Sequence, residues 1–359
     1  MIGEALAGIG GNLQIIFPGG RIDMKKKEIS ISVIIPCFNA GRYIGPCLDS
    51  VLKYGLKDIE IIVINDASND ESGKILSQYD RYENVFVIEN KTNLGAAKSR
   101  NLGAVKARGR YLVFLDIDTG LETDFLSIAA DKFESSPKIG AMQAKLVSKD
   151  SERVESGGHF LSPFGFPYEI GVDENEKNWN EERLIFGARS AAMAIRKRVF
   201  ERIGGFDENY IIYAEETDLC WRVWKLGYQI IYCPQARVRH YQKSSLNART
   251  RYRIFFEGAK NNTANIIKNA PSKMWWMLPL HILGWGFVCL KLCFAGETKM
   301  IIWIVRGLWW DLVHLDKLID YRRRMKINGG NHNEYERIIF GNIGTRQLIS
   351  KGFNWLKNV

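Results

Sequence analysis

The sequence YLVFLDID, residues 111–118, joins an apolar run to a pair of aspartates. The run Tyr111–Leu115 has the length and composition of a strand that is covered on both faces. Asp116 and Asp118 follow it directly, and in an extended backbone residues two positions apart point to the same side. The segment therefore predicts a buried strand whose carboxyl end presents two converging carboxylates.

Short apolar runs recur on both sides of this strand and alternate with segments of helical periodicity. In residues 44–52, apolar side chains occur at i, i+3, i+4, i+7 and i+8, which gives a helix with one apolar face. Such alternation is typical of βαβ units and predicts an α/β fold with an open, mostly parallel sheet flanked by helices. The predicted strands are residues 31–35, 59–64, 85–88, 111–115 and 139–147.

Residues 148–185 are polar and rich in glycine, proline and aromatic residues, which predicts an irregular segment. Regular structure resumes after it, and the pair Gly204-Gly205 is interpreted as a helix stop. The elements predicted beyond the irregular segment are helices at 197–203 and 216–226 and strands at 229–233 and 236–240.

Polar residues follow two other predicted strands as well. The first strand leads into Pro36 and Asn39, and the second into Asp66. In open α/β sheets, ligands bind beyond the carboxyl ends of the strands, so these side chains are binding candidates together with the aspartate pair. Each of them alone would be an ordinary turn or helix-capping residue.

The aspartate pair suits a hard divalent cation, Mn²⁺ or Mg²⁺. Such a cation can neutralise the charge that develops on a nucleotide diphosphate when a sugar C1–O bond breaks. The hydroxyl that attacks the sugar must lose its proton, which requires a positioned base. The stretch YAEETDLCWR offers three acids for this task, Glu215, Glu216 and Asp218.

The bulk composition limits the classes of function. With 46% hydrophobic residues over 359 positions the chain can bury a full core, and its net charge of +10 favours anionic partners. The six cysteines show neither a CxxC pair nor zinc-site spacing, so we expect a reducing, cytosolic environment. Residues 1–28 lack the basic start and apolar run of a signal peptide and are interpreted as a flexible leader.

Five segments in a fixed order carry a resemblance to a known family. They are SVIIPCFN, NDASND, NLGAAKSRNLGAVKARGRYLVFLDID, GARSAAMAIRKRVFERIGGFDENY and the acidic stretch with its trailing GYQIIYCPQARVRH. Over residues 30–245 the chain resembles family 2 glycosyltransferases, in particular the rhamnosyltransferase-like and galactofuranosyltransferase-like branch. The resemblance implies a GT-A nucleotide-binding fold and inverting transfer of a hexosyl or deoxyhexosyl group from a nucleotide diphosphate sugar.

The resemblance also implies roles for the residues at the strand ends. Pro36 and Asn39 would border the nucleotide, Asp66 would recognise the base or ribose, and Arg100 would face the nucleotide. Taken from the residues alone, Asp66 could instead cap a helix and Arg100 could be a solvated helix residue.

The same resemblance implies a metal site and a base. Asp118 would bind the cation, Asp116 would lie near the ribose and the cation, and His240 would complete the metal site. The family's acidic pair is usually Glu-Asp, whereas this chain has Glu215-Glu216. Glu216 occupies the position of the base, and Glu215 would orient the acceptor or the following helix.

Two other classes of function are alternatives to a glycosyltransferase. A sugar nucleotidyltransferase would need a glycine-rich triphosphate loop near the N-terminus, but Pro36 is followed by CFNAGRYIGPC. A nucleic-acid-binding protein is suggested only by the basic charge, without a recognition motif. The small residues Gly187, Ala188 and Ala191 are compatible with either a substrate contact or close packing of a helix on the sheet.

The C-terminal part of the sequence indicates contact with a membrane. Residues 274–294 form an apolar run interrupted only by His281 and Lys291, which is long enough to span a bilayer. Residues 300–315 form a shorter run with three tryptophans, which is typical of an interfacial helix. A buried pair of core helices is the alternative, and the basic residues 322–324 argue against it.

The predicted organisation is therefore a glycosyltransferase domain at residues 29–245, a membrane-associated helical region at 246–325 and a tail at 326–359. We expect the helical region to lie in the interface as a re-entrant or interfacial hairpin on the cytoplasmic face of the cell membrane. A lipid-linked or glycan acceptor fits this location, with a polyprenyl phosphate as the competing acceptor. No nucleic-acid partner is expected.

Overall fold

The computed structural model describes residues 30–54, 58–149, 151–241, 248–325 and 338–340. The predicted leader (1–28) and all of the predicted tail (326–359) except residues 338–340 lie outside the described residues. The described chain forms one large sheet with helices on both faces and a layer of four helices at its C-terminal end.

The first half of the sheet is parallel. It consists of β1 (Ile31–Cys37), β2 (Ile59–Asn65), β3 (Val85–Glu89) and β4 (Tyr111–Leu115), in the spatial order β3-β2-β1-β4. Each pair within this half runs parallel, as predicted from the βαβ pattern. Their carboxyl ends therefore meet at one edge of the sheet.

The second half of the sheet is mixed, and the prediction of a mostly parallel sheet is wrong there. Strand β11 (Ala192–Arg196) runs antiparallel to both β4 and β6 (Ile139–Ser148), between which it lies. The chain reaches β11 through loops and short strands rather than through a crossover helix, so it can enter in the opposite direction. Beyond β6 lies β12 (Gln229–His240), which pairs parallel with it.

Strand β12 merges the two strands predicted at 229–233 and 236–240. A register shift between Cys233 and Arg237 separates its two parts, which is the signature of a β-bulge. The second part pairs antiparallel with β5 (Thr119–Leu121), a short strand just after the aspartate pair. This pairing brings the end of β12 next to the end of β4.

Helices cover both faces of the sheet and bury alternate residues of its strands. Val33 and Ile35 of β1 share a core with α1 (Gly41–Lys53), whose predicted apolar face is buried. Ile34 faces the opposite core. The other helices of the domain are α2 (Ser72–Leu76), α3 (Ala96–Lys106), α4 (Phe125–Ser135), α5 (Lys197–Arg202) and α6 (Glu215–Lys225).

The segment predicted to be irregular contains short strands and a buried aromatic cluster, so that prediction was wrong in part. It forms β7 (Val154–Ser156), the hairpin β8 (His159–Leu161) and β9 (Pro167–Glu169), and β10 (Arg183–Leu184). Its buried aromatic side chains include Phe160, Tyr168 and Trp179. Strands of two or three residues are too short to show a periodicity, which is why the pattern of residues missed them.

The C-terminal layer consists of α7 (Ala248–Asn269), α8 (Met277–Phe294), α9 (Thr298–Val313) and α10 (Leu315–Arg324). Helices α7 and α9 cross closely at Gly307, where a Cβ atom would lie 2.5 Å from the carbonyl oxygen of Phe256. One helix of the described chain, Ser272–Phe294, is long and apolar enough to cross a membrane. Of its most apolar stretch of 18 residues, 33% is buried in the protein. The second apolar run forms α9, which is a separate and shorter helix.

Candidate active site

The structure brings Asp116, Asp118 and His240 together at the carboxyl end of the sheet. A turn follows β4, closed by the Thr119 hydroxyl, which donates to the Asp116 carbonyl at 2.7 Å. His240 ends β12 and pairs with Thr119 across the β5 ladder. Its Nε2 lies 3.2 Å from Asp118 Oδ1, and ligand atoms of the three side chains all lie within 4.8 Å of one another.

Two carboxylates and one imidazole form a donor set that fits a Mn²⁺ or Mg²⁺ ion. Carboxylate oxygens are the preferred ligands of both hard cations, and imidazole nitrogen is a further ligand that first-row divalent metals accept. The predicted ligands Asp118, Asp116 and His240 are thus the three residues that converge here. The two aspartates keep part of their side-chain surface exposed, so the cluster opens to solvent.

His240 is held from both sides by carboxylates. Burial by itself would lower its pKa, but in the absence of a cation the hydrogen bonds to Asp118 and Glu155 raise the pKa to about 10, so a bound cation would have to displace the proton from Nε2. Glu155 on β7 contacts His240 Nδ1 at 2.9 Å and fixes the orientation of the ring. Sequence reasoning missed Glu155 because it lies in the segment predicted to be irregular.

Arg100 connects Asp116 to the acidic pair of α6. Its buried guanidinium donates to Asp116 Oδ1 at 2.7 Å and to Glu215 Oε1 at 3.3 Å. Burial of Asp116 would raise the pKa of its carboxyl, but the charge of Arg100, together with His240 and Arg189, outweighs it and lowers the pKa. The interpretation of Arg100 as a solvated helix residue is therefore wrong.

Glu215 and Glu216 begin α6 and have different surroundings. Glu215 is buried, and burial together with the charge of Glu216 raises its pKa to about 8 in spite of Arg100. Glu216 is partly exposed. The third candidate acid, Asp218, has other partners, because Arg222 and Lys268 contact its carboxylate.

The three predicted nucleotide-side residues lie along the same edge of the sheet. Pro36 lies near the end of β1, and Asn39 follows with a left-handed backbone, φ +49°. Asp66 is buried after β2 and accepts hydrogen bonds from the backbone N–H groups of Leu94 and Gly95 at 2.9 and 2.8 Å. The Asp66 carboxylate thus caps the loop before α3.

A second set of charged residues lies next to Glu155 and His240, and the sequence did not predict it. Arg189 contacts Glu155 at 3.0 Å and lies 3.9 Å from Glu169. Its own backbone N–H donates to Gln143 at 2.7 Å. These residues come from β6, β7, β9 and the loop before β11, so only the tertiary fold brings them together.

The small residues near this loop serve packing. A Cβ at Gly187 would lie 2.0 Å from Nε2 of His159, so the glycine makes room for a protein side chain. The backbone N–H of Ala188 faces the Cys220 thiol of α6 at 3.3 Å. For Gly187 and Ala188 these contacts favour the packing interpretation over a substrate contact. The pair Gly204-Gly205 ends α5 with φ values of +81° and +70°, as expected of a helix stop.

Residues 32–204 match the family model of glycosyl transferase family 2. This segment, just under half of the chain, is therefore similar to glycosyltransferase family 2 domains. The match contains Asp66, Arg100 and the aspartate pair, and it ends before the Glu215-Glu216 pair and His240.

Two curated relatives illustrate the similarity. EpsJ of Bacillus subtilis (strain 168), an uncharacterized glycosyltransferase, is 39% identical over 187 residues, which cover 52% of this chain and 54% of EpsJ. Poly-beta-1,6-N-acetyl-D-glucosamine synthase of Staphylococcus epidermidis is 24% identical over 224 residues, which cover 61% of this chain and 52% of the synthase. The chain thus spans about half the length of each of these proteins.

The fold is that of a solved glycosyltransferase structure. The crystal structure of GalNAc-T7 with UDP, GalNAc and Mn²⁺ matches with a TM-score of 0.56 at 19% identity, covering 80% of this chain and 58% of that chain. The chain accordingly has an α/β, GT-A-like fold with a mixed sheet flanked by helices. Its assignment to the rhamnosyltransferase-like or galactofuranosyltransferase-like branch stays a prediction.

Proposed function

We propose that the chain is an inverting glycosyltransferase that moves a sugar from a nucleotide diphosphate sugar to a hydroxyl group of a lipid-linked or cell-surface glycan. One observation carries the proposal: the metal-type cluster of Asp116, Asp118 and His240 lies beside the acidic pair of α6, with Arg100 bonded to both. Such a site can neutralise a leaving diphosphate and deprotonate an acceptor within one cleft. The similarity to family 2 domains supports the same reaction class.

In this proposal Asp116, Asp118 and His240 hold a divalent cation, which neutralises the leaving diphosphate when bound. Arg100 keeps Asp116 ionised through its short hydrogen bond. Pro36 and Asn39 border the nucleotide, and Asp66 shapes the loop that contacts its base or ribose. The roles are those that the family resemblance implies, and the position of these residues at the carboxyl edge of the sheet supports them.

Glu216 is the base of the proposed reaction. Burial and the charge of Glu216 raise the pKa of Glu215, which favours its protonated form and makes it the poorer proton acceptor of the two. Glu216 takes the proton of the acceptor hydroxyl as that oxygen bonds to the sugar C1 and the bond from C1 to the diphosphate breaks. A single displacement of this kind inverts the anomeric centre.

The direct test is a donor screen. The protein is incubated with Mn²⁺ and a panel of uridine, guanosine and thymidine diphosphate sugars, with and without a lipid extract, and released nucleotide diphosphate and glycosylated lipid are identified by mass spectrometry. We expect release from one donor, abolished by a chelator and unchanged in the matched variant Asp131→Ala, whose carboxylate is exposed on α4. Pyrophosphate from a nucleoside triphosphate, without release from any donor, would replace the proposal with a nucleotidyltransferase. The product lipid would also distinguish a polyprenyl phosphate from a glycan acceptor.

The C-terminal helices support a location at the membrane surface. Exposed apolar side chains form a stripe on α8, Leu283, Phe287, Leu290 and Phe294, and another on α9, Ile302, Val305, Trp309 and Leu312. The spacing of three or four residues places each set on one face of its helix. Exposed basic residues accompany them, Lys291 and Lys299 among others, which suits an anionic bilayer surface.

We propose that these two stripes insert into the interface of an anionic bilayer and keep the acceptor near the cleft. The triple variant Leu283→Gln/Phe287→Gln/Leu290→Gln should lose most of its binding to phosphatidylglycerol-containing vesicles in a flotation assay. The control Val105→Gln/Val172→Gln changes exposed apolar residues outside these helices and should bind like the wild type. Equal binding of the triple variant and the wild type would contradict this placement. The cytoplasmic side of the membrane stays a prediction of the sequence.

A further inference from the structure

The backbone directly before the acidic pair is strained. Tyr213 and Ala214 both adopt left-handed conformations, with φ values of +66° and +64°. Residues with a Cβ atom rarely do so, because the Cβ approaches the following carbonyl oxygen. Two consecutive residues with this conformation persist only where neighbouring groups hold them in place. Strained backbone of this kind is common at functional sites.

Two asparagines of α7 hold this strained turn. The Asn261 side-chain amide donates to the carbonyl oxygens of Ile212 and Tyr213, each at 2.8 Å. One helical turn further on, the Asn265 amide donates to the Ala214 carbonyl at 3.0 Å. Three consecutive carbonyls are thus bound by side chains of a single helix, and both asparagines are buried.

The turn determines where the acidic pair points. Ala214 is the residue that precedes α6, and no side chain caps that helix end. Its left-handed backbone sets the direction in which the helix starts, and with it the positions of Glu215, which contacts Arg100, and of the partly exposed Glu216. A shift of about 1 Å at a reacting group can lower a rate by roughly a hundredfold, so the hold on this turn matters for turnover.

We propose that Asn261 and Asn265 are positioning residues, through which the C-terminal helical layer fixes the acidic pair in its working position. The inference rests on the proposed function, because it assigns Glu216 to the reaction. It also gives the helical layer a second task, since α7 packs against α9 at Gly307 while its asparagines hold the turn.

The chain offers a matched control on the same helix. Asn269 lies one turn beyond Asn265 and is equally buried, but its amide donates to Asp218 at 2.8 Å instead of to the strained turn. Asn261→Ala and Asn265→Ala should lower kcat by roughly tenfold or more with little change in the donor KM. Asn269→Ala should lower the Tm by a similar amount and leave kcat within about threefold of the wild type.

A rescue separates positioning from general stability. Glycine adopts φ +64° without a steric cost, so Ala214→Gly should restore most of the lost kcat in the Asn265→Ala background. Recovery of kcat without recovery of Tm supports positioning. Wild-type kcat in both Asn261→Ala and Asn265→Ala, or an equal loss in Asn269→Ala, would overturn the proposal.

Hydrogen exchange tests the inference independently of turnover. In the full chain, peptides covering residues 210–218 should exchange faster in Asn261→Ala and Asn265→Ala than in Asn269→Ala. If the wild type releases no diphosphate from any donor, the proposed function fails, whereas the exchange comparison still decides whether the asparagines hold the turn. Equal exchange in all three variants would contradict the proposal.

Discussion

Two clusters of charged residues meet at helix α6, and they are compensated very differently. The site cluster contains Arg100, Asp116, Asp118, Glu215 and Glu216. In the buried ion cluster, Arg222 and Lys268 both contact the fully buried Asp218 carboxylate, and Lys268 also contacts Asp207. Burial would raise the pKa of Asp218, but Arg222 and Lys268 outweigh it and hold the pKa well below its usual range.

In the site cluster the balance is reversed, because Arg100 is shared between Asp116 and Glu215 and the pKa of Glu215 is raised to about 8. The comparison teaches that acids within one helical turn can serve opposite purposes. A carboxylate with all its charge neutralised by protein groups contributes to stability, whereas one left short of cations is available to bind a metal or a proton. Substitutions in the two clusters should therefore separate loss of turnover from loss of stability.

The largest effect is expected at Asp118, on the metal-facing side of the site cluster. Asp118→Ala removes one of two carboxylate ligands, so we expect transfer to be abolished and the Mn²⁺-dependent gain in nucleotide diphosphate affinity to disappear. Calorimetric titration of the nucleotide with and without Mn²⁺ measures this directly, with Asp131→Ala as the control. Full activity of a chelator-treated Asp118→Ala protein would show that the reaction does not need a bound metal.

Asp218→Asn should produce the opposite pattern. Breaking a buried ion pair by removing one partner typically costs about 3–5 kcal/mol. In Asp218→Asn, Arg222 loses its carboxylate partner and Lys268 keeps its contact with Asp207. We expect a large fall in Tm by calorimetry, with turnover per folded molecule close to the wild-type value. If Tm is unchanged and turnover collapses, the division between the two clusters is wrong.

A smaller effect is expected from the protonation of Glu215. Its folded pKa of about 8 lies above the ordinary value of 4.5, so its contribution to stability is complete below pH 4.5 and is lost as the pH rises through 8. Glu215→Gln removes this dependence. As the pH rises from 5 to 8, the Tm of the wild type should therefore fall relative to the Tm of the variant, as measured by thermal melts across that range. A Tm difference that is constant over this range would contradict the raised pKa.

The parts of the fold that the sequence predicted correctly are those in which apolar residues follow a local, regular pattern. The strands that precede Asn39, Asp66 and Asp116 are continuous apolar runs, so their ends, and the residues that gather there, could be located from periodicity. His240 was suggested by the family resemblance, and its position became clear only through the pairing of β12 with β5.

Glu155, Arg189 and Asn261 could not be predicted, for a common physical reason. Each acts through contacts with residues far away in the sequence, such as the 85 positions that separate Glu155 from His240. Short strands and polar helix faces carry no periodic signal of such contacts. Strand β11 was not among the predicted strands, and the direction in which a strand enters a sheet is not encoded in its apolar run.

The central claim is that Glu216 removes the acceptor proton while Glu215, one residue away, does not. Single-turnover transfer should be measured in Glu216→Gln and Glu215→Gln, with the donor and acceptor found by the screen and with nucleotide diphosphate binding measured in parallel. The account predicts that Glu216→Gln keeps donor binding and loses roughly a hundredfold or more in turnover, with a smaller loss in Glu215→Gln. Near-normal turnover in Glu216→Gln together with a collapse in Glu215→Gln would contradict it.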